Sequence, residues 1–298
     1  MGFSASAHEE GGSFGGRSFF VWSAPIPPIA LLDYNEQRAA QMDISARFGN
    51  SKGGRMQKRF KLTLAAAFAA LILSGCQTMQ DVPADDKAPV VNISQVLDPP
   101  PAKGSIQQRN DERFNALGRE LRKTPRGKRI QIDADRCFPE PLRLWMGQTI
   151  GVELSKEKTP ETWRLMDMAQ PILLVSQRKA KKYFSRPRPF AEFNPKDQTC
   201  RPDQRKGLGN YKSYPSGHTI TGWFAALVFT SLVPQKAEAI LREGYTMGES
   251  RWICGAHWKS DVEAGRTSGA ALFARAVGDP SFRTQMDRAR EELQSKLQ

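Results

Sequence analysis

SGHTITGWFAALVFTSLV, residues 216–233, is the stretch that decides the fold. From Thr219 to Val233 it is almost wholly apolar, about 15 residues, too short to cross the roughly 30 Å hydrocarbon layer of a bilayer. It reads as a core helix that opens at Ser216, a preferred N-cap residue, and runs to about Leu232. Helical periodicity continues on both sides. Downstream, one helix spans roughly Lys236 to Met247. Another starts near His257 and carries Val262, Ala270 and Phe273. Asp279-Pro280 caps a last one bearing Phe282, Met286, Leu293 and Leu297. Upstream, Thr159-Pro160-Glu161 has the form of an N-cap, a first-turn proline and an acid favoured by the helix dipole. The helix it opens runs through Trp163, Leu165, Met168, Ile172 and Val175 towards Lys182. Leu142, Trp145, Met146 and Ile150 recur at spacings near three and four, as do Ile106, Phe114, Leu117 and Leu121. No alternating pattern of useful length appears. The expected class is all-α: a single-domain helical bundle over 105–298, with its site at helix ends and on the long proline-containing loop 185–215.

The residues before this domain have other work. MQKRFKLTLAAAFAALILSGCQ, from Met56, has a basic start, an apolar run over Leu62–Leu73 and small residues before Cys76. That is the form of a secretory signal peptide. Leu73-Ser74-Gly75-Cys76 resembles a bacterial lipoprotein box, in which Cys76 is lipidated and becomes the first mature residue. The expected location is the periplasm, with a lipid anchor in the outer membrane. Residues 1–55 are glycine-rich and lack periodicity. They read as a disordered leader, or as the product of a start set too early, with Met56 the true start. Residues 76–104, ending in Asp98-Pro99-Pro100-Pro101, read as a proline-rich tether.

The chain carries a formal charge of +13, of which +10 follows Gly75. Such a charge favours anionic partners. Zinc-finger spacing and aromatic–basic RNA motifs are missing, which argues against nucleic acid. Spacings that would ligate a metal are missing too. After Cys76, three cysteines remain: Cys137, Cys200 and Cys254. Export permits a disulfide, and three cysteines leave one over. Cys200 and Cys254 flank the polar motifs, and their pairing is the expectation.

Three segments carry chemistry. His257 and Asp261 are four apart, so on a helix they share a face. A carboxylate accepting from one imidazole nitrogen fixes the tautomer and leaves the other a free lone pair, which makes a nucleophile. Alone, such a pair is an ordinary surface contact. Pro215-Ser216-Gly217-His218 places a capping serine and a glycine at a helix start, where free N–H groups meet anions. Alone it is a turn. Lys179, Lys181, Lys182, Arg186 and Arg188 put five cations into the ten residues 179–188. That is usually a solvated face, but arginine is also the best fork for phosphate oxygens.

Taken together these segments resemble the type 2 phosphatidic acid phosphatase superfamily, with its K-x6-R-P, P-S-G-H and S-R-x5-H-x3-D signature. The chain supplies Lys181-x6-Arg188-Pro189, Pro215-Ser216-Gly217-His218 and Ser250-Arg251-x5-His257-x3-Asp261. Arg188-Pro189-Phe190, the SYPSGHT run at 213–219 and SRWICGAHWKSDV at 250–262 give it the character of the bacterial class A nonspecific acid phosphatases. The resemblance covers about 105–298. It implies hydrolysis of small phosphate monoesters without metal or other cofactor. His257 would become a phosphohistidine, Asp261 would orient it, and His218 would be general acid and then base. Lys181, Arg188, Ser216, Gly217 and Arg251 would hold the phosphoryl oxygens. Lys179-x6-Arg186-Pro187 fits the first motif equally well by spacing. The Lys181 register is preferred because Phe190 then falls where the relatives have it. Lys212 stands where a small residue is usual, which bears on substrate preference. A lipid or isoprenyl phosphate phosphatase of the same superfamily is the alternative within enzymes, and a non-catalytic phosphate-binding envelope lipoprotein the alternative outside them. The sequence leaves homo-oligomerisation open.

Overall fold

The computed structural model describes residues 91–135 and 140–298. The leader, the signal peptide, Cys76, most of the tether and Cys137 lie outside the described residues. Among those described there are nine α-helices and no strand, so the all-α expectation holds. In chain order they are α1 Ile106–Leu121, α2 Arg126–Asp133, α3 Glu140–Ile150, α4 Pro160–Phe184, α5 Pro189–Glu192, α6 Gly217–Leu232, α7 Ala237–Ile253, α8 Lys259–Val277 and α9 Pro280–Leu297. None of the described helices is long and apolar enough to cross a membrane.

The apolar run of α6 is central. Ile220, Phe224, Ala225, Ala226, Val228, Phe229 and Leu232 are all buried, on every side of the helix, as expected of a core helix that is hydrophobic all round. It packs chiefly on α7 and α8, while α4 packs on α9. Small residues let these helices approach. A Cβ on Gly244 of α7 would come within 2.5 Å of Ala226 Cβ, and one on Gly265 of α8 within 2.8 Å of Thr219 Cβ. Phe224 packs edge-on against Phe273 and Phe282, filling the space between α6, α8 and α9.

Capping explains where α4 and α9 start. Asp279 accepts from the N–H groups of Ser281 and Phe282 and so caps α9 as expected. Thr159 does precede α4, but its hydroxyl is spent on Ser155. The free N–H groups of Glu161 and Thr162 instead donate to the carboxylate of Glu292 on α9. A tertiary contact has replaced the local cap.

Three features depart from the periodicity. Helix α1 buries Gln108, Asp111, Asn115 and Gly118, while Ile106 and Leu117 are exposed. Helix α7 continues six residues beyond Met247, to Ile253. The loop 185–215 contains α5 and a 3-10 segment, Pro202–Leu208. Packing also begins ahead of Ser105: Ile93 is buried in the core, and the Tyr214 hydroxyl donates to Asp98 O.

Candidate active site

Four helix ends converge. Lys181 lies in the last turn of α4, Ser216-Gly217-His218 opens α6, Arg251 lies in the last turn of α7, and Asp261 lies in the first turn of α8. The loop after α4 contributes Arg188, the residue preceding α5. The turn joining α7 to α8 contributes His257. That turn needs Gly255, whose φ is +81°. A Cβ there would also come within 2.8 Å of Asp197 Oδ2.

His257 therefore does not share a helix face with Asp261. It stands two residues before α8, whose first turn carries the carboxylate. The chain turns at Trp258, and Asp261 Oδ2 accepts its N–H at 2.8 Å. The same oxygen faces His257 Nδ1 at 3.4 Å and accepts from Ser213 Oγ at 2.5 Å. The spacing of four thus comes from a helix start rather than from a helix face. On the other side of the ring, His257 Nε2 lies 3.0 Å from Arg188 Nη1. A guanidinium only donates, so Nε2 is the acceptor and the ring proton belongs on Nδ1, towards Asp261.

Arg188 is fixed by carbonyl oxygens. Its Nε donates to Gly209 O, Nη2 to Leu208 O and Lys212 O, and Nη1 also to Ala256 O. The Lys181 ammonium donates to Pro215 O at 2.6 Å and to Lys212 O at 2.8 Å. Arg251 is 2% exposed, yet its Nε and Nη1 have no hydrogen-bond partner among the described residues. Buried donors are ordinarily satisfied, so two orphaned guanidinium nitrogens mark a place for acceptors. Ser216 is wholly buried, and its Oγ accepts from Thr219. Gly217 lies close under Gln177: a Cβ would come within 2.0 Å of Gln177 Oε1 and would have to displace that side chain. His218 Nε2 lies 3.4 Å from Asp135 O.

These cations crowd one another. Burial, reinforced by Arg251, lowers Arg188 to about 9, and burial lowers Arg251 to about 10. Burial, then Arg188, pushes Lys181 well below its usual value. Both histidines are held well below 6.5. Burial is the first cause in each case, followed by Arg188, Lys181 and Arg251 for His257, and by Arg251 for His218. The site favours neutral imidazoles beside fixed positive charge.

The two readings of the first motif separate here. Lys179 is exposed. Arg186 is buried, and its guanidinium is bound to Asp261 Oδ1, Asp111 Oδ2, Gln108 Oε1 and Ser260 Oγ. The sequence carries no sign of these supports: Asp111, Gln108 and Ser213, with Asp133, which accepts from Ser250 Oγ at 2.5 Å. Only Arg186 carried a signal, the second Arg-Pro pair. Cys200 and Cys254 are joined by a disulfide, and Cys200 N–H donates to Cys254 O at 2.9 Å, three residues before His257.

Fold and site together define a helical protein with a buried histidine centre ringed by cations. Residues 168–284 match the model of the PAP2 superfamily. The chain is 39% identical over 210 residues to a non-specific acid phosphatase of Salmonella typhimurium, covering 69% of this chain and 82% of that protein. It is 36% identical over 245 residues to one of Salmonella typhi, covering 81% and 94%. It is 37% identical over 199 residues to an acid phosphatase of Zymomonas mobilis, covering 66% and 74%. The chain belongs to the PAP2 superfamily, in its group of non-specific acid phosphatases.

Proposed function

We propose that the protein hydrolyses phosphate monoesters of broad structure through a covalent phosphohistidine at His257, without a metal ion. The observation that carries this is the two-sided environment of the His257 ring: Nδ1 faces Asp261, while Nε2 faces Arg188 with its lone pair. Nε2 attacks phosphorus, the P–O bond to the alcohol breaks, and Asp261 offsets the positive charge that forms on the ring. His218 protonates the departing oxygen and then takes a proton from the water that frees phosphate. Both histidines are neutral in the free site, so His218 has to gain a proton as substrate enters. A phosphoryl group supplies the reason, because its negative charge offsets Arg251, Arg188 and Lys181, which hold that proton off. The same three cations, the Ser216 hydroxyl and the Gly217 amide stabilise the charge on the transferring group, a task that fixed cations can perform. The orphaned nitrogens of Arg251 supply donors for the phosphoryl oxygens.

The lipidated Cys76, the outer-membrane anchor and the periplasmic setting belong to the same proposal. They rest on the signal sequence, and a disulfide beside the site fits an oxidising compartment. The test is hydrolysis of nitrophenyl phosphate in excess chelator, with enzyme denatured in alkaline detergent and examined for base-stable, acid-labile phosphate on His257. Loss of turnover on chelation, or phosphate on another residue, would overturn the chemistry. A Cys76→Ala chain that stays with the membrane fraction would overturn the anchor.

A further inference from the structure

We propose that Arg186, clamped by Asp111 of α1, is a positioning residue for the nucleophile. Through Asp261 it fixes the orientation of His257. The proposal rests on His257 being the attacking group.

The His257–Asp261 contact is long, 3.4 Å. Its quality depends on where the carboxylate is held. Oδ2 is fixed from its own helix start by Trp258 N–H and from the loop by Ser213 Oγ. Those bonds fix one oxygen and leave rotation about it. Oδ1 stops that rotation, and its hydrogen-bond partner is Arg186 Nη1 at 2.7 Å. Arg186 is in turn immobile. Its Nη2 donates to Asp111 Oδ2 and to Gln108 Oε1, each at 2.8 Å, and its Nη1 also reaches Ser260 Oγ. Asp111 Oδ1 accepts the Ser260 N–H at 2.8 Å, and the Ser260 hydroxyl bonds Asp111 Oδ2. Helix α1 is thus stitched to the first turn of α8, on either side of the guanidinium. The Trp258 ring lies beside Arg186, 5.3 Å from the guanidinium carbon, and its indole N–H is bound to Pro187 O.

Charge gives the same answer. Asp261 and Asp111 are both buried, 0% and 3% exposed. Two carboxylates held out of water need a cation, and a planar fork serves both in a fixed geometry that an ammonium on a flexible stem does not impose. It also explains why α1 turns a polar face inward. Gln108 and Asp111 do not fill a core. They reach the guanidinium that holds the carboxylate that holds the imidazole.

Arg186→Gln, Arg186→Lys and Asp111→Asn, made in the full chain, test this. Each variant is first checked for folding by circular dichroism and melting. Expected among folded variants is a fall in kcat of about tenfold to a hundredfold, the size found when partners that orient a functional histidine are removed. KM should hold within roughly threefold, because the phosphoryl clamp is untouched. The low-field proton resonance of His257 Nδ1–H, recorded with inorganic phosphate bound, should weaken or vanish. Arg186→Lys should recover part of kcat over Arg186→Gln. Should Arg186→Gln not fold, Arg186→Lys and Asp111→Asn decide alone. The proposal is overturned by activity lost only in proportion to folded protein, by KM rising with kcat unchanged, or by an unmoved low-field proton. Wild type quenched in alkaline detergent during turnover separates the two layers. Absence of phosphohistidine there sinks the parent reading, whereas its presence with unaffected variants sinks only the positioning role.

Discussion

Arg188 Nη1 lies 3.0 Å from His257 Nε2, the ring nitrogen opposite the one that faces Asp261. On the proposed mechanism the guanidinium occupies the nucleophile in the free site and passes its N–H to a phosphoryl oxygen when substrate enters. Arg188→Lys keeps a charge but loses the fork and most of the four carbonyl bonds that aim it. Expected is a loss of kcat/KM of at least about tenfold, the value of one charge-assisted hydrogen bond or more. Steady-state kinetics on nitrophenyl phosphate measures it, and a near-normal Arg188→Lys enzyme would remove Arg188 from the clamp.

The pH dependence follows from the histidines. On the proposed mechanism His257 attacks only when Nε2 is unprotonated, and burial with Arg188 and Lys181 holds its proton affinity well down. Its reactive form therefore survives into acid, and the acid limb of kcat/KM should lie below the ordinary imidazole range near 6.5. His218 must be protonated to serve the leaving oxygen, and it too is held down. In the free site raising the pH removes that proton early, so the alkaline limb of kcat/KM should fall before it does for a free imidazole, while kcat, read after the phosphoryl group has offset the cations, should hold to higher pH. An optimum on the acid side results. A profile corrected for the second ionisation of the substrate, with its acid limb at or above 6.5, would contradict the electrostatics of the site.

Lys181 and Lys179 are two residues apart on α4 and have different surroundings. Lys181 Nζ is bound to Pro215 O and Lys212 O, while Lys179 is exposed. Lys181→Ala should cut kcat/KM by about tenfold or more, as expected for a charged donor to phosphate. Lys179→Ala should change it little. The opposite ranking in a paired assay would move the first motif back two residues.

Much of this was legible in the sequence, for identifiable reasons. Helix α6 was readable because an apolar run with a serine cap leaves few alternatives, and α9 because Asp279-Pro280 is a local signal. Helix α1 was legible as a helix, but its buried face was not: Phe114 and Leu121 pack against the core, while Gln108 and Asp111 are buried and Ile106 and Leu117 are exposed. Ile106 and Leu117 mark an apolar stripe, but α1 packs onto Arg186 and Ser260, and polar contacts there outweigh the stripe. The His257–Asp261 pair was found through a spacing whose geometry was misassigned. A helix start and a helix face both bring positions four apart together. Asp111 and Gln108 lie about 150 residues before the histidine they help to place, and no local pattern announces such a contact.

The disulfide closes a sequence separation of 54 residues and ties the loop at Cys200 to the turn that leads to His257. Arg122 holds the Cys254 carbonyl from another side, and it also pairs with Asp197. Loop-closure entropy for that separation is about 4 kcal/mol. The Cys200→Ser, Cys254→Ser double variant should melt roughly 8–16 °C lower, on a scale of about 2–4 °C per kcal/mol for a domain of this size. Turnover at 25 °C should suffer less, because Arg122 remains. A melting temperature within about a degree of the parent would show that the cross-link adds nothing to the folded state.

The last prediction concerns the division of labour between the histidines. His257 lies against Asp261, and His218 opens α6 beside the carbonyl of Asp135. On the proposed mechanism the Asp261 carboxylate beside His257 offsets the charge that attack on phosphorus creates, and this assigns the two histidines different roles. His257→Ala should abolish both turnover and the burst of released alcohol. His218→Ala should retain attack where the leaving group needs no proton. Its turnover should fall about 10²–10⁴-fold on alkyl phosphates, the usual cost of losing a general acid. On nitrophenyl phosphate the first step should fall far less, and the deficit should appear in release of phosphate. Phosphoenzyme should then accumulate, because the base that activates water is missing. Two successive in-line displacements, one by Nε2 and one by water, return phosphorus to its original hand. A substrate chiral at phosphorus should therefore give net retention. Inversion would mean a single attack by water, with His257 acting as a base or a binding group, and the phosphohistidine mechanism would fall.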